Sequence, residues 1–185
     1  MTGLLLDTRL DAVQRDYVET VRRSGDLLLD LINDILDFSK IESGGLELED
    51  RPFDLISAVE DSVGLLAVAA DKKGLTLLCD FADGCPSWVS GDVTRLRQVL
   101  VNLVGNAVKF TESGTIMVRI EPAGLPESGV SEAGVVALRF LVSDTGIGIP
   151  EDRMPRLFQS FSQVDASTTR VYGGSGLGLA ISQAL

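Results

Sequence analysis

Three short segments of the 185-residue chain hold the side chains best suited to chemistry. The first contains Gln98, Asn102, Asn106 and Lys109, spaced four, four and three, so that on a helix they stack along one face. Asparagine is a poor helix former because its side chain competes for backbone hydrogen bonds, and an ordinary solvated face would be better served by Glu or Lys. A neutral amide oxygen can ligate Mg²⁺ without losing a proton, and a lysine is a point charge for phosphate oxygens. The second segment, Asp144-Thr145-Gly146-Ile147-Gly148-Ile149-Pro150, follows an apolar run from Leu138. A carboxylate there can accept a hydrogen bond from an exocyclic amine, and glycines let the backbone approach a flat ring. An Asx turn with proline at a helix start fits the same residues. The third, Gly173-Gly174-Ser175-Gly176-Leu177-Gly178, would expose backbone N–H groups at the positive end of a helix, a ready anion site. A flexible hinge fits it too. It is neither a Walker A loop nor a Rossmann fingerprint, since no Lys-Ser/Thr follows and no strand immediately precedes.

Composition removes several alternatives. The chain has no histidine, which excludes Ser-His-Asp and Cys-His catalysis within it and any imidazole metal site. With 27 acidic against 16 basic residues the net charge is −11, which disfavours nucleic acid and anionic membrane surfaces as partners. The charge is uneven: residues 1–91 carry 18 acidic and 8 basic side chains, 92–185 carry 9 and 8, so the second half is the better host for an anion. Cys79 and Cys85 lack metal-ligand spacing and read as buried or idle thiols. No apolar run approaches the ~18 residues of a membrane span, and Met1–Asp7 lacks the basic start of a signal peptide. A soluble, cytoplasmic segment without membrane contact is expected.

The elements that must position these residues follow from hydrophobic periodicity. Apolar residues from Leu10 to Ile41 step by three and four, which predicts one long amphipathic helix whose stripe needs a partner helix. Asp30, Asn33, Asp34 and Asp37 read as its solvated face, and Ser43-Gly44-Gly45 as its stop. Leu46–Glu49 alternates like a short strand. Asp54 can cap a helix running to about Asp71. Leu75–Phe81 reads as a strand, Asp92–Phe110 as a helix with core face Leu96, Val99, Leu100, Leu103, Val104 and Ala107, Thr115–Glu121 and Val135–Ser143 as strands, and the glycine tract opens a last helix. Phe158 to Phe161 and the polar run Asp165–Arg170 look like a mobile flap with an aromatic anchor. Two strands in direct succession favour an α+β layered sandwich over a doubly wound sheet.

Taken together and in this order, Leu96 to Thr111, Asp144 to Gly148, Phe158 to Phe161 and Gly174 to Ser182 resemble the N, G1, F and G2 boxes of the histidine-kinase catalytic domain. Leu31 to Glu42 resembles the second helix of the dimerisation and phosphotransfer domain of hybrid sensor kinases. The resemblance covers nearly the whole chain. It implies a Bergerat-type (GHKL) two-layer α/β sandwich at 44–185, preceded by a long dimerisation helix at 1–43. It also implies truncation at both ends: the phosphorylated histidine would lie upstream, and the final strands of the sheet beyond Leu185.

The implied function is transfer of the γ-phosphoryl group of ATP to a histidine that this chain does not carry. By the same resemblance Asn106 would ligate Mg²⁺, with Asn102 beside it. Lys109 and Arg170 would contact phosphate, and Asp144 the adenine amino group. Gly146 and Gly148 would line the adenine pocket, and Gly174, Gly176, Leu177 and Gly178 would support the triphosphate. Val171 and Ser175 stand where the hybrid-kinase pattern more often has a basic residue and a threonine. The implied partners are a second copy, through the N-terminal helix, and a response-regulator receiver domain. A non-transferring fragment that binds nucleotide, dimerises and docks a receiver is the alternative. Hydrolysis of the kind carried out by type II topoisomerases, mismatch-repair proteins and ninety-kilodalton chaperones fits less well, because those typically place an acidic residue in the helix box, where this chain has amides.

Overall fold

A computed structural model describes residues 2–123, 135–160 and 176–185. The chain opens with a short helix α1 (Thr2–Leu6) and the long helix α2 (Ala12–Glu42). The start of α2 is set by a reciprocal cap: the Gln14 N–H donates to Asp11 Oδ1 at 2.8 Å and the Asp11 N–H donates to Gln14 Oε1 at 3.1 Å. This satisfies two orphan groups and places the first turn just after Leu10. The helix stops at Gly44, whose φ of +66° only glycine adopts readily.

The next expectation fails. Residues 46–49 form no strand; the strand is β1 (Arg51–Asp54), which runs antiparallel to β3 (Trp88–Gly91) as a two-stranded sheet. Alternation alone does not make a strand, because the ladder needs a partner, and residues 88–91 pair with 51–54. The helix expected from Asp54 to Asp71 is two helices, α3 (Leu55–Gly64) and α4 (Ala67–Lys72). Asp54 caps the first, accepting from the Ser57 N–H at 3.0 Å, and the helix gives way after Gly64, with Leu65 turned outward. β2 (Thr76–Phe81) leads on to α5 (Val93–Phe110), β4 (Thr115–Pro122), β5 (Leu138–Asp144), a 3₁₀ turn (Glu151–Arg156) and α6 (Gly178–Ala184).

The main sheet has the order β2-β4-β5, with β2 and β4 parallel and β4 and β5 antiparallel. In the central strand Ile116, Val118 and Ile120 are buried while Met117 and Arg119 are exposed, so one face is covered and the other open. Leu55, Val59 and Val63 of α3 and Leu100, Val104, Ala107 and Val108 of α5 join the buried face. This is the two-layer α+β sandwich. Of the thiols, Cys79 is exposed and Cys85 half-buried.

The long helix is held to the sandwich by a polar clamp that the sequence did not announce. Asp37 is not part of a solvated face: its Oδ2 accepts from Arg95 Nη1 at 2.7 Å and from Gln98 Nε2 at 2.8 Å, and Arg95 Nη1 also donates to Gln98 Oε1 at 2.7 Å. The Asp37 and Arg95 side chains are 16% and 21% exposed. Burial acts to raise the Asp37 pKa, but the hydrogen bonds from Arg95 and Gln98 and the charges of Arg95 and Lys40 outweigh it and hold the carboxyl below its ordinary 3.8. Such a group stabilises the folded state above its unfolded pKa, and the stabilisation is lost as pH falls from there through the lower folded value. Asp37→Ala is expected to lower stability by about 1.5–3 kcal/mol at neutral pH. Urea unfolding should show the gap between wild type and variant closing below pH 3.8.

Candidate functional site

Helix α5 divides its polar residues among several neighbours: Arg97 pairs with Asp61 of α3 at 3.1 Å, and the others turn elsewhere. Its start is fixed by Asp92, which accepts from the Arg95 N–H at 3.0 Å and, through its other oxygen, from the Glu49 N–H at 3.1 Å. Gln98, grouped by spacing with the asparagines, turns instead to Asp37 of α2. A cleft between these helices is lined by Leu36, Asp37, Lys40, Arg95, Gln98 and Val101. Neither Asn102 nor Asn106 lines it. The reason is helical geometry: at 100° per residue, steps of four drift around the axis, so Gln98 and Asn106 do not share a neighbour.

Asn102 faces α6, and Asn106 bonds to Asn102. Asn102 Nδ2 donates to Ser182 Oγ at 2.8 Å, and Asn106 Nδ2 donates to Asn102 Oδ1 at 3.4 Å. Among the described residues no hydrogen bond reaches the carbonyl oxygen of Asn106, the one atom of that side chain able to ligate a cation. Gly178 lies against Asn102 so closely that a Cβ would overlap the amide. Its glycine character thus lets α6 close onto α5. Leu177 is wholly buried: its side chain belongs to the core, which leaves only its backbone for a ligand. Gly176 has φ +70° and stands just before α6. Gly174 and Arg170, with Phe161, Val171 and Ser175, lie outside the described residues.

At the C-terminal end of α5, burial holds the Lys109 pKa below its ordinary 10.5, and its Nζ sits 4.8 Å from the centroid of the Phe110 ring. The last carbonyls of the helix are gathered by a residue that spacing did not single out. Lys73 Nζ accepts none and donates three times, to the oxygens of Val108 at 2.7 Å, Lys109 at 2.9 Å and Thr111 at 3.2 Å. A cation on these orphan carbonyls both satisfies them and complements the negative end of the helix dipole. The Lys72-Lys73-Gly74 end of α4 carries basic residues, but only the tertiary fold shows whose carbonyls they meet.

The segment after β5 is stitched to that same end of α5 and to the start of β4. The Ile147 N–H donates to the Phe110 oxygen at 3.3 Å, the Thr145 N–H to the Thr115 oxygen at 3.2 Å, and the Thr115 N–H to Thr145 Oγ1 at 3.0 Å. Asp144 is exposed, and its Oδ1 accepts from the Gly146 N–H at 2.8 Å, so the Asx turn is present. Turn and ligand roles are compatible here: the hydrogen bond engages Oδ1, and Oδ2 has no partner among the described residues. Gly146 admits no side chain, since a Cβ would come within 2.5 Å of the Phe110 oxygen and 2.7 Å of Asp144 Oδ1. Gly148 has φ +68°. The arrangement brings an acceptor-only carboxylate, an amide oxygen and an ammonium to one end of a helix. No group of three or more His, Cys, Asp or Glu side chains able to hold a metal occurs among the described residues, nor does a helix long and apolar enough to cross a membrane.

Residues 91–185 match the family model for the histidine kinase-, DNA gyrase B- and HSP90-like ATPases, and residues 1–44 match that of the His Kinase A (phospho-acceptor) domain. The whole chain is 47% identical to the signal transduction histidine-protein kinase BarA of Escherichia coli and 44% identical to the hybrid signal transduction protein dokA of Dictyostelium discoideum. It spans only 19% and 11% of their lengths. Among solved structures, full-length ShkA in complex with AMPPNP superposes with a TM-score of 0.76 at 36% identity, covering all of this chain and 36% of that one. The chain thus belongs to the histidine kinase-, DNA gyrase B- and HSP90-like ATPases, and its adjoining phospho-acceptor match places it among the sensor histidine kinases.

Proposed function

We propose that residues 44–185 bind ATP with Mg²⁺ at the C-terminal end of α5 and donate its γ-phosphoryl group to a histidine outside these 185 residues, while 1–43 supply part of the phospho-acceptor domain. The observation that carries this reading is the hydrogen bond from the Ile147 N–H to the Phe110 oxygen, which ties the Asp144–Gly148 loop to the end of the helix that bears Asn106 and Lys109. Base and phosphates of one nucleotide can then be held from a single rigid corner. Asp144 Oδ2 takes the exocyclic amine of adenine, and Gly146 and Gly148 keep the loop thin beside the ring. Asn106 offers one amide oxygen to the cation. That suits Mg²⁺, which takes most of its shell from phosphates and water and needs few protein ligands. Lys109 answers the phosphate charge, and Asn102 holds α6 and the glycines at 176 and 178 next to it. Gly174, Leu177 through its backbone, and Arg170 complete the phosphate side.

In the transfer, an imidazole nitrogen attacks the γ-phosphorus, the bond from that phosphorus to the bridging oxygen breaks, and ADP leaves. The protein's share is positioning and charge stabilisation. Mg²⁺ held through Asn106 would supply neutralisation of the charge gathering on the departing ADP phosphate. Helix α2 brings a second copy: Val21, Leu28, Ile32 and Ile35 are exposed along it, and burying each such side chain is worth about 1.5–3 kcal/mol. A response-regulator receiver domain is the expected downstream partner, and the cytoplasm the expected location.

Three measurements test these roles. Asp144→Ala should weaken ATP binding by about ten- to a hundredfold, the loss of a hydrogen bond to a charged group; calorimetry showing an unchanged dissociation constant in a folded variant would sink the base assignment. Polar residues at Leu28 and Leu31 should shift a dimer toward monomer by light scattering, and a wild type already monomeric at high concentration would count against α2 as the dimer seam. With labelled ATP, the 185 residues alone should take up no acid-labile phosphate, for want of an imidazole. A separate polypeptide carrying the histidine-bearing helix should become labelled. If that polypeptide stays unlabelled while ATP still binds, the non-transferring reading is the right one.

A further inference from the structure

Thr111 carries a hydroxyl that no other group among the described residues uses. It follows α5 directly and is fully buried. Its backbone is engaged on both sides: its N–H donates to the Ala107 oxygen at 3.0 Å, and its own oxygen accepts from Lys73 at 3.2 Å. Its Oγ1, in contrast, has no hydrogen-bond partner among the described residues. Valine would fill the same space without burying an unpaired hydroxyl, so for folding alone the hydroxyl is a cost.

What surrounds it indicates what it is for. A Cβ built on Gly146 would lie 2.9 Å from Thr111 Oγ1, 2.7 Å from Asp144 Oδ1 and 2.5 Å from the Phe110 oxygen. Three oxygens therefore converge on the open side of this glycine. The Phe110 oxygen already accepts from the Ile147 N–H, and Asp144 Oδ1 from the Gly146 N–H. Of the three, only Thr111 has a proton to give. The charged acceptor is the stronger one, and both oxygens lie within 3 Å of one point beside Gly146, so they are neighbours that a change of side-chain torsion can pair.

We propose that Thr111 is a positioning residue for Asp144. When nucleotide binds, its hydroxyl donates to Oδ1 beside the Gly146 N–H, which fixes the plane of the carboxylate and leaves Oδ2 aimed at the exocyclic amine. The proposal rests on the assignment of Asp144 to the base. It also ties the base loop by a side chain to the end of the helix that carries Asn106 and Lys109, so that adenine and phosphate sites are set together.

The test is a double-mutant cycle read by ATP calorimetry and by melting without nucleotide. Thr111→Val should melt no lower than wild type yet bind ATP roughly three- to tenfold more weakly, and Thr111→Ser should bind as wild type does. In an Asp144→Ala background the valine substitution should have no further effect, because the partner is gone. An unchanged affinity in Thr111→Val, a serine variant as weak as the valine one, or a loss that persists without Asp144 would each overturn the proposal. If Asp144→Ala itself leaves ATP binding intact, the base assignment fails, and the role of Thr111 falls with it. Should Thr111→Val not fold, Thr111→Ala against Thr111→Ser makes the same comparison.

Discussion

The structure depends on one helix having to satisfy neighbours on several sides. Leu100, Val104, Ala107 and Val108 of α5 are buried with Ile116, Val118 and Ile120 of the central strand, and this apolar contact fixes the helix in both rotation and translation. Once it is fixed, every polar residue of α5 is committed to a direction. Arg95 and Gln98 meet the long helix, Asn102 meets α6, and Lys109 emerges at the end where the Asp144 loop is attached. Removing buried volume here would cost more than the local contacts, since a shift of α5 misplaces all three polar neighbours together.

The end of α5 shows how such commitment is enforced. A helix ends with carbonyls that have lost their partners, and a loop packed there inherits that problem. Here the ammonium of Lys73 gathers the carbonyls from α4, and the Ile147 N–H takes that of Phe110 from the β5 loop. The helix terminus is thereby cross-linked to two separate parts of the chain. Gly146 and Gly178 serve the same purpose by subtraction: each lets one segment lie against another at a distance that a single methyl group would forbid.

The clamp between α2 and α5 has a different character from the core. Apolar packing has little directional preference, whereas Asp37, Arg95 and Gln98 accept only one register of the helix against the sandwich. A part-buried charge pair contributes less to net stability than its geometry suggests, because both ions were well solvated before they met. Its value lies in specifying one arrangement. The helix that carries Asn102 and Asn106 thus has at its other end a polar contact with the phospho-acceptor segment, so the two units are mechanically joined through α5.

The sequence by itself determined the long helix α2, the extent of α5 and part of its core stripe, the strands of the main sheet and the residues of the three motifs, because each is written in local periodicity or in turn chemistry. It also determined, by the lack of any histidine, that no imidazole on these residues can accept a phosphoryl group. Only the tertiary structure decided that the alternating residues 46–49 stay unpaired while Arg51–Asp54 meets Trp88–Gly91, that Asp37 leaves the solvated face, that Gln98 parts from Asn106, that Lys73 meets the last carbonyls of α5 and that Thr111 is buried beside Gly146. The common reason is that these are pairings between segments far apart in the chain. Hydrophobic periodicity reports which face of an element is buried, but a single polar side chain carries no mark of its partner until packing brings the two together.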